Sequence, residues 1–135
     1  MKICIKLAGI SSKEGEVPVG SVVVKNNQII GFGRNLVNST KIISDHAEII
    51  AINNATRFLH EWRLVDCDIY VTLEPCMMCV GAINNARIKR VIYGTKNYKF
   101  GAIKYINSKI EIVSGILESE CSYILSNFFR KMRKN

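Results

Sequence analysis

The stretch "DIYVTLEPCMMCVGAINNA", Asp68–Ala86, predicts a strand that passes directly into a helix. Its first part, "DIYVTLE", is rich in β-branched and aromatic residues, which is typical of a buried strand. Pro75 suits the first turn of the helix that follows, and we expect that helix to cover roughly residues 76–86. The stretch therefore favours an α/β fold, in which strands and helices alternate along the chain.

The sequence on both sides of this stretch predicts further helices and strands. On the N-terminal side we expect a short helix over residues 3–13, a β-hairpin in "SVVVKNNQIIGFG" (21–33), and a helix capped by Ser44 or Asp45 that ends near Leu59. On the C-terminal side we expect strands in "IKRVIYG" (88–94) and "SKIEIV" (108–113), and a helix from Leu117. This order predicts a mostly parallel sheet with helices on both faces.

Two of the predicted helices have apolar residues at helical spacing, which predicts one buried face on each. In the first helix these residues are Ile49, Ile50, Ile52, Ala55 and Phe58. In the C-terminal helix they are Leu117, Cys121, Ile124, Leu125, Phe128 and Phe129. Ligand sites in such sheets form where strands end and helices begin, so the helix starts at His46 and Cys76 are candidate site positions that could face each other.

Length and composition indicate one ordinary globular domain that covers residues 1–135. The chain is 48% hydrophobic and 22% charged, and no apolar run approaches the ~20 residues that a membrane span requires. We therefore expect no association with a membrane. The five cysteines, two of them in a C-x-x-C pair, favour free thiols in a reducing cytoplasm over a disulfide framework.

The basic excess is confined to the second part of the chain. Residues 1–75 carry eight Lys or Arg and eight Asp or Glu, whereas residues 76–135 carry eleven basic and three acidic residues. Seven of the basic residues lie in the segment 87–109, which contains no acidic residue, and four more lie in the C-terminal tail. This pattern is compatible with a solvated basic face or with a surface that binds a polyanion such as a phosphate backbone.

Cys76 and Cys79 are the first two candidate metal ligands. Residues three apart on a helix project from one face, and the positive end of the helix dipole stabilises thiolates. By itself a C-x-x-C pair could also be a redox pair or two buried thiols. His46, thirty residues upstream at another predicted helix start, offers a third ligand. Three ligands leave the fourth position of a zinc ion open, which is typical of a catalytic site.

Glu48, two residues after His46, favours a hydrolytic site over a structural one. A hydrolytic site needs a group that takes a proton from a zinc-activated water and delivers it to the substrate. Two thiolate ligands reduce the effective charge of zinc, and so increase the need for such a base. H-x-E together with P-C-x-x-C is the signature of zinc nucleobase deaminases, and this chain has both motifs, at His46–Glu48 and Pro75–Cys79.

The chain resembles the bacterial tRNA adenosine deaminases, which have the cytidine deaminase-like fold. The stretches that carry the resemblance are "EVPVG" (16–20), Asn35, "HAEI" (46–49), "VTLEPCMMCVGAI" (71–83), "ARIKRVIYG" (86–94), Lys99 with Gly101 and Ala102, "GILESEC" (115–121) and "LSNFFR" (125–130). Together they span nearly the whole chain. The zinc motif is shared with cytidine, deoxycytidylate and guanine deaminases, whereas the C-terminal stretches are more specific to the tRNA enzymes.

The resemblance implies a three-layer α/β/α fold with a five-stranded mixed sheet, assembled as a homodimer with one zinc ion per chain. It implies hydrolysis of adenosine to inosine at the wobble position of a tRNA anticodon. The implied metal ligands are His46, Cys76 and Cys79, and the implied catalytic residue is Glu48. The implied substrate contacts are Asn35 with the purine ring, the backbone near Val17 and Ala47 along the pocket, Asn97 near the ribose, and Phe128 and Arg130 with the anticodon loop.

The sequence departs from the family pattern in several places. The N-terminal helix is shorter than in many members, and the segment after Ala102 lacks a longer loop near the substrate side. Asn97 and Asn127 replace aspartates that many members carry. Three cysteines outside the motif match no pattern, and we interpret them as small apolar residues: Cys4, Cys67 and Cys121.

Two other functions are alternatives at this point. A deaminase of free guanine, cytosine or a nucleoside shares the zinc motif, but its pocket does not require a one-sided basic surface. A zinc-stabilised RNA-binding module without catalysis would explain the basic surface, but such a module has no need of Glu48. Both the charge distribution and the glutamate therefore favour the tRNA deaminase.

Overall fold

The protein consists of a five-stranded sheet with helices packed on both faces. The computed structural model describes residues 1–134. The strands are β1 Gly20–Lys25, β2 Gln28–Arg34, β3 Asp68–Leu73, β4 Arg90–Thr95 and β5 Glu111–Val113. The helices are α1 Lys2–Lys13, α2 Val37–Thr40, α3 Ala47–Leu59, α4 Met77–Ala86 and α5 Glu118–Arg133, with a short 3₁₀ helix at Ile103–Tyr105. Helices α1 and α5 pack on one face of the sheet, and α3 packs on the other beside α4.

The strand order of the sheet is β2-β1-β3-β4-β5. Strand β1 pairs antiparallel with both β2 and β3, while β3 with β4 and β4 with β5 pair in parallel. The implied five-stranded mixed sheet is confirmed. The prediction of a mostly parallel sheet holds for strand direction, because four of the described strands run the same way. Only two of the four pairings are parallel, however, because β1 lies between β2 and β3.

The predicted hairpin is confirmed, and Asn26 and Asn27 form the turn between β1 and β2. Their φ angles are 51° and 62°. A two-residue hairpin turn of this hand requires positive φ at both central positions, and asparagine tolerates that conformation better than most residues. The two asparagines therefore set the register of the pairs next to the turn, and an irregularity between Val23 and Val24 shifts the register by one residue beyond it.

Helix α3 lies very close to β2 at two glycines. A Cβ atom added at Gly33 would lie 2.4 Å from the carbonyl oxygen of Ala47, and one added at Gly31 would lie 2.4 Å from the carbonyl oxygen of Ala51. Real Cβ atoms do not approach a backbone oxygen so closely. The absence of a side chain at these two positions of β2 therefore sets the depth of α3 against the sheet, and with it the position of the residues at the start of α3.

The apolar core lies between the sheet and the layer formed by α3 and α4. Its buried members include Ala51 and Ala55 of α3, Ile69 and Val71 of β3, and Ile83 of α4. The three cysteines outside the motif are also buried, as expected of small apolar residues. Across residues 1–134, none of the helices combines the length and the apolar character needed to cross a membrane.

Three details of the helices differ from the predictions. His46, rather than Ser44 or Asp45, occupies the N-cap of α3. Pro75 lies one residue before the N-cap of α4 rather than in its first turn. The prediction that Phe58 faces the core was wrong, since its side chain is 65% exposed. Helix α3 packs against the sheet mainly through small alanines, so fewer of its apolar residues are buried than the sequence pattern indicates.

Gly33→Ala tests the close approach of α3 to β2. The added methyl group would collide with the backbone of another element, so strand and helix would have to separate. We expect the free energy of unfolding, measured by urea denaturation, to fall by about 1–3 kcal/mol or more. Gly9→Ala in α1 is the matched control, because a Cβ there meets open space among the described residues. Alanine at position 9 should stabilise the helix by about 0.5–1 kcal/mol, and equal stability of the two variants would contradict the close approach.

Candidate active site

The starts of α3 and α4 lie side by side beyond the carboxyl end of β3. His46 occupies the N-cap of α3, Cys76 occupies the N-cap of α4, and Cys79 follows one turn into α4. The prediction that these two helix starts face each other is confirmed by the short distances between their side chains. The positive ends of both helix dipoles therefore point at one location, where they stabilise negative charge.

His46, Cys76 and Cys79 form a cluster that could hold a metal ion. The Nδ1 atom of His46 lies 3.6 Å from the Sγ atom of each cysteine. In a tetrahedral zinc site with Zn–S of roughly 2.3 Å and Zn–N of roughly 2.0–2.1 Å, a ligand nitrogen and a ligand sulfur lie about 3.6 Å apart. The donor spacing thus fits tetrahedral zinc, and one imidazole with two thiolates is a ligand set that zinc favours.

The three donor groups are electrostatically linked. A hydrogen bond with Cys79 is the largest cause that lowers the pKa of Cys76, and together with His46 it brings that pKa to about 4 although burial opposes the shift. The same hydrogen bond and burial raise the pKa of Cys79, which therefore keeps its proton. The hydrogen bond with Cys76 raises the pKa of His46. Metal binding requires deprotonated ligands, so it would release the protons that this cluster holds.

Glu48 lies in the first turn of α3 and is buried, yet it lines the same cavity as His46 and Cys76. Burial is the main cause that raises the pKa of Glu48 to about 7, and the negative charge of Cys76 adds to it. A carboxyl group with a pKa near 7 can both accept and donate a proton at neutral pH. That property is the one that general acid–base catalysis requires.

A cavity of ≈ 930 Å³ opens at the two helix starts. This volume is near the upper end of the range for small-molecule sites, roughly 300–1,000 Å³, so the cavity has room for more than one purine ring. The predicted site residues that line it are Val17, Asn35, His46, Ala47, Glu48, Cys76 and Asn97. The structure therefore brings most of the predicted site residues together, although they come from five separate segments of the chain.

Asn35 follows the end of β2, and its side chain links two backbone segments beside the cavity. The Nδ2 atom donates a hydrogen bond to the carbonyl oxygen of Val17 at 3.2 Å, and Oδ1 accepts one from the N–H of Val37 at 3.4 Å. A side-chain amide can donate twice and accept twice. Asn35 therefore supports the local backbone and retains one donor and one acceptor for a ligand.

Asn97 and Glu74 shape the loop that follows β4. The buried carboxylate of Glu74 accepts hydrogen bonds from the backbone N–H groups of Asn97 and Ile103, each at 3.2 Å. The Oδ1 atom of Asn97 accepts one from the N–H of Phe100 at 3.0 Å. An aspartate could accept the same bond, so asparagine preserves the loop and removes one negative charge from the cavity. Sequence reasoning missed Glu74, although its place beside the P-C-x-x-C motif was a signal.

Phe128 and Arg130 lie outside the cavity lining. Phe128 is 7% exposed and packs edge to face against Phe129, with 5.4 Å between the ring centroids. Arg130 is exposed on α5. Leu125 and Phe129 of the same helix line the cavity instead. Adjacent residues of a helix point in directions about 100° apart, and the apolar spacing alone could not decide which phenylalanine faces the site.

The basic residues of the segment 87–109 have different surroundings. Lys96 and Lys99 line the cavity. Arg90 forms an ion pair of 2.7 Å with a carboxylate of the neighbouring strand, and Arg87 lies over an indole ring, 5.4 Å from its centroid. The basic character of this segment at the cavity therefore comes from two lysines.

Glu16 is a buried carboxylate that sequence reasoning also missed. It accepts hydrogen bonds from the N–H groups of Asn38 at 2.9 Å and Ser39 at 2.7 Å, and from the hydroxyl group of Ser39. Burial by itself would raise the pKa of Glu16, but these hydrogen bonds lower it overall. The carboxylate thereby fastens α2 to the segment that contains Val17. Its partners lie more than twenty residues away along the chain, so no local pattern marks it.

The fold and the site together define a deaminase. A family model described as MafB19-like deaminase matches residues 1–133. The chain is also 48% identical to a tRNA-specific adenosine deaminase of Buchnera aphidicola subsp. Baizongia pistaciae, a match that covers 99% of this chain and 88% of the relative. The chain therefore belongs to the family of tRNA-specific adenosine deaminases.

Two solved structures place the fold among deaminases. One comes from a study of A-to-I editing by tRNA:A34 deaminases at the wobble position of transfer RNA, and matches with a TM-score of 0.89 at 35% identity over 93% of this chain and 97% of that one. A guanine deaminase from Bacillus subtilis matches with a TM-score of 0.69 at 36% identity, over 74% of this chain and 68% of that one. The first match confirms the cytidine deaminase-like fold.

Glu16→Gln tests the fastening of α2 beside the cavity. A glutamine amide would turn N–H groups toward buried N–H donors, so we expect a loss of about 1–3 kcal/mol in the free energy of unfolding at pH 7. The folded pKa of Glu16 lies below its ordinary value of 4.5. The ionised carboxylate therefore stabilises the fold above that value, and this contribution is lost as the pH falls further. Urea denaturation should show a smaller difference between wild type and variant at about pH 3 than at pH 7; an equal difference would contradict the assignment.

Proposed function

We propose that this protein hydrolyses adenosine to inosine at the wobble position of a tRNA anticodon. The observation that carries the proposal is the pairing of a three-donor metal cluster with a buried carboxylate, Glu48, in one cavity. A structural metal site has no need of that carboxylate, whereas hydrolytic deamination requires it. Membership in the family of tRNA-specific adenosine deaminases supports adenosine as the base that reacts.

In this proposal His46, Cys76 and Cys79 bind one zinc ion per chain. The separation of 3.6 Å between the imidazole nitrogen and each sulfur supports tetrahedral coordination with one open position. When bound, zinc supplies Lewis-acid activation of a water molecule. The location of His46 and Cys76 at helix N-caps supports this assignment as well, because the positive end of the helix dipole favours the thiolate form of Cys76.

Glu48 is the residue proposed to move protons. It accepts a proton from the attacking water, whose oxygen forms a bond to C6 of adenine, and delivers that proton to N1 of the ring. It then carries the second water proton to the amino group, the C6–N bond breaks, and ammonia leaves as inosine forms. The pKa of about 7 supports both the accepting and the donating steps.

The residues around the cavity are proposed to hold the nucleotide. Asn35 has a free donor and a free acceptor for the purine ring, and the backbone at Val17 and Ala47 borders the same space. Asn97 is assigned to the ribose side of the cavity. Phe128 is not included, because its ring is buried in the protein interior.

A tRNA is the proposed partner, bound through its anticodon loop. Two groups of basic residues support contact with phosphates. Lys96 and Lys99 line the cavity. The exposed basic residues at the C-terminal end of α5 and just after it form the second group: Arg130, Lys131, Arg133 and Lys134. The likeness to a guanine deaminase makes a free-base deaminase the second candidate. The match to the guanine deaminase covers a smaller share of this chain than the match to the tRNA deaminase structure. In addition, an enzyme that acts on a free base needs no basic surface.

We further propose that residues 1–135 act as one deaminase domain and that two copies form a homodimer in the cytoplasm. The exposed side chains of Phe58, Trp62 and Val65 support a protein interface, because one short segment presents three large apolar groups to solvent. The five free cysteines support a reducing compartment.

Glu48→Gln separates proton transfer from metal binding. The variant retains the volume of the side chain and all three metal donors, so it should hold about one zinc ion per chain. Its turnover should fall by about 10²- to 10⁴-fold, because positioned acid–base catalysis is lost. Metal analysis and inosine formation measure the two properties. Cys79→Ala should lose both, whereas Cys67→Ala, buried away from the cluster, should keep both. Near-normal turnover of Glu48→Gln would refute the proposed role.

A substrate panel tests the function itself. The zinc-loaded protein would be incubated with a tRNA whose anticodon begins with adenosine, and separately with free adenosine, guanine and cytidine. Contacts to the loop help to position the target base, so a bare nucleoside should lose both rate and binding. We expect inosine at the wobble position and little product from the other three. Rapid turnover of a free base with inert tRNA would support the small-molecule enzyme, and tight tRNA binding without inosine would support the non-catalytic module.

A further inference from the structure

Two aromatic side chains at the rim of the cavity have no part in the proposed chemistry. Tyr98 is 92% exposed and Phe100 is 66% exposed, and both line the cavity. Burial of a large exposed ring against a partner is favourable, because it removes apolar surface from water. A pair of exposed rings beside a binding site therefore indicates an interaction surface. We refer to Tyr98 and Phe100 as the rim aromatics.

The loop that carries the rim aromatics is held in place from below. The Glu74 carboxylate accepts hydrogen bonds from the N–H groups of Asn97 and Ile103, on either side of the pair. The N–H of Phe100 and the N–H of Gly101 are both bound to Asn97, at 3.0 and 2.9 Å. A loop backbone that is fixed at these points loses less conformational entropy on binding.

The surroundings of the rim aromatics are positively charged. Lys96 and Lys99 line the same cavity, and Nζ of Lys99 lies 5.6 Å from the ring centroid of Phe100. The acidic group beneath the loop, Glu74, is buried and occupied by two N–H donors. The rim therefore combines exposed rings with positive charge, a combination that matches a single-stranded nucleic acid with its bases and phosphates.

We propose that Tyr98 and Phe100 stack on the bases that flank the target adenosine in a single-stranded RNA loop. The inference rests on the proposed function and extends it to the neighbouring nucleotides. Bases in RNA loops are splayed out and stack on aromatic side chains, while lysines beside the rings meet the backbone phosphates. Stacking at the rim holds the neighbours outside the cavity while the target base enters it.

The chemistry of the rim favours RNA over a second copy of this chain. The core of a protein interface is depleted of lysine. Here each ring lies within two positions of a lysine that shares the cavity lining: Lys96 and Lys99 for Tyr98, and Lys99 for Phe100. Burial of the rings against a protein would also bury these charges, whereas RNA supplies an acceptor for them.

Alanine variants of the rim aromatics test the proposal. Binding of an anticodon stem-loop with a wobble adenosine would be measured as Kd with the full-length, zinc-loaded protein, in the Glu48→Gln background, where turnover is slowed by about 10²- to 10⁴-fold. Tyr98→Ala and Phe100→Ala should each raise Kd by roughly 5- to 150-fold, the usual effect of one lost base–aromatic stack. Tyr105→Ala is the matched control: its ring is 55% exposed with Lys104 at 5.1 Å, but it lies outside the cavity lining. Its Kd should not change.

A stem-loop with abasic nucleotides on both sides of the wobble adenosine distinguishes stacking from structural support. Without flanking bases the effect of Tyr98→Ala should disappear, since the ring has nothing to stack on. Tyr98→Phe should bind like wild type, and Tyr98→Leu, which keeps the bulk without the aromatic face, should bind like the alanine variant. An equal effect of Tyr98→Ala on the intact and abasic loops would overturn the proposal.

Two further results would also overturn the proposal. In one, the rim variants bind RNA as well as Tyr105→Ala does. In the other, they change the oligomeric state, measured by light scattering, without a change in RNA affinity, which would assign the rim to a second copy. Failure of the proposed function is a separate observation, because it is the absence of inosine with the wild-type enzyme, whereas stacking is measured as affinity rather than turnover.

Discussion

The contact between the glycines of β2 and the backbone of α3 is the constraint on which the site depends. Because Gly31 and Gly33 have no side chains, α3 lies directly against the strand. Its first residues, His46 and Glu48, therefore reach the end of the sheet where α4 also begins, and there they meet the two cysteines. Two positions with no side chain thus allow α3 to lie at the depth at which His46 comes within ligand distance of the two cysteines.

Glu48 and Glu74 line the cavity, Glu16 adjoins the lining residue Val17, and the environments of these three buried carboxylates give them different roles. Glu16 and Glu74 accept hydrogen bonds from backbone N–H groups; Glu16 holds α2 beside the cavity, and Glu74 holds the loop after β4 that forms part of its wall. Burial is the main cause that raises the pKa of Glu48, and the negative charge of Cys76 adds to it. The hydrogen bonds to Glu16 lower its pKa, so this carboxylate stays ionised and supports structure, whereas burial raises the pKa of Glu48 to about 7, so Glu48 can exchange protons near neutral pH. Placement relative to backbone donors thus separates structural from chemical carboxylates.

The cavity has two parts, an inner floor that holds the candidate catalytic residues and an outer rim that is exposed to solvent. The floor contains the donor cluster and Glu48 and is built from the two helix starts. The fold that carries it also matches a guanine deaminase. The rim is formed by the loop after β4, where Lys96, Tyr98 and Phe100 are exposed. Because the same floor can deaminate different bases, the loops around it are where preference for an RNA substrate can arise.

The sequence by itself predicted the elements, the candidate metal donors and the glutamate proposed to transfer protons, because these predictions depend on local patterns and short motifs. The hairpin asparagines, the strand before Pro75 and the H-x-E and P-C-x-x-C motifs all act within a few residues, and the fold built from them is the one observed. Only the tertiary structure decided which side of a helix faces the core. Phe58 lies in solvent, and Phe129 rather than Phe128 lines the cavity, because the depth of helix packing selects the buried stripe. It also decided the partners of Glu16 and Glu74, since their N–H donors come from residues more than twenty positions away and meet them only after the chain has folded.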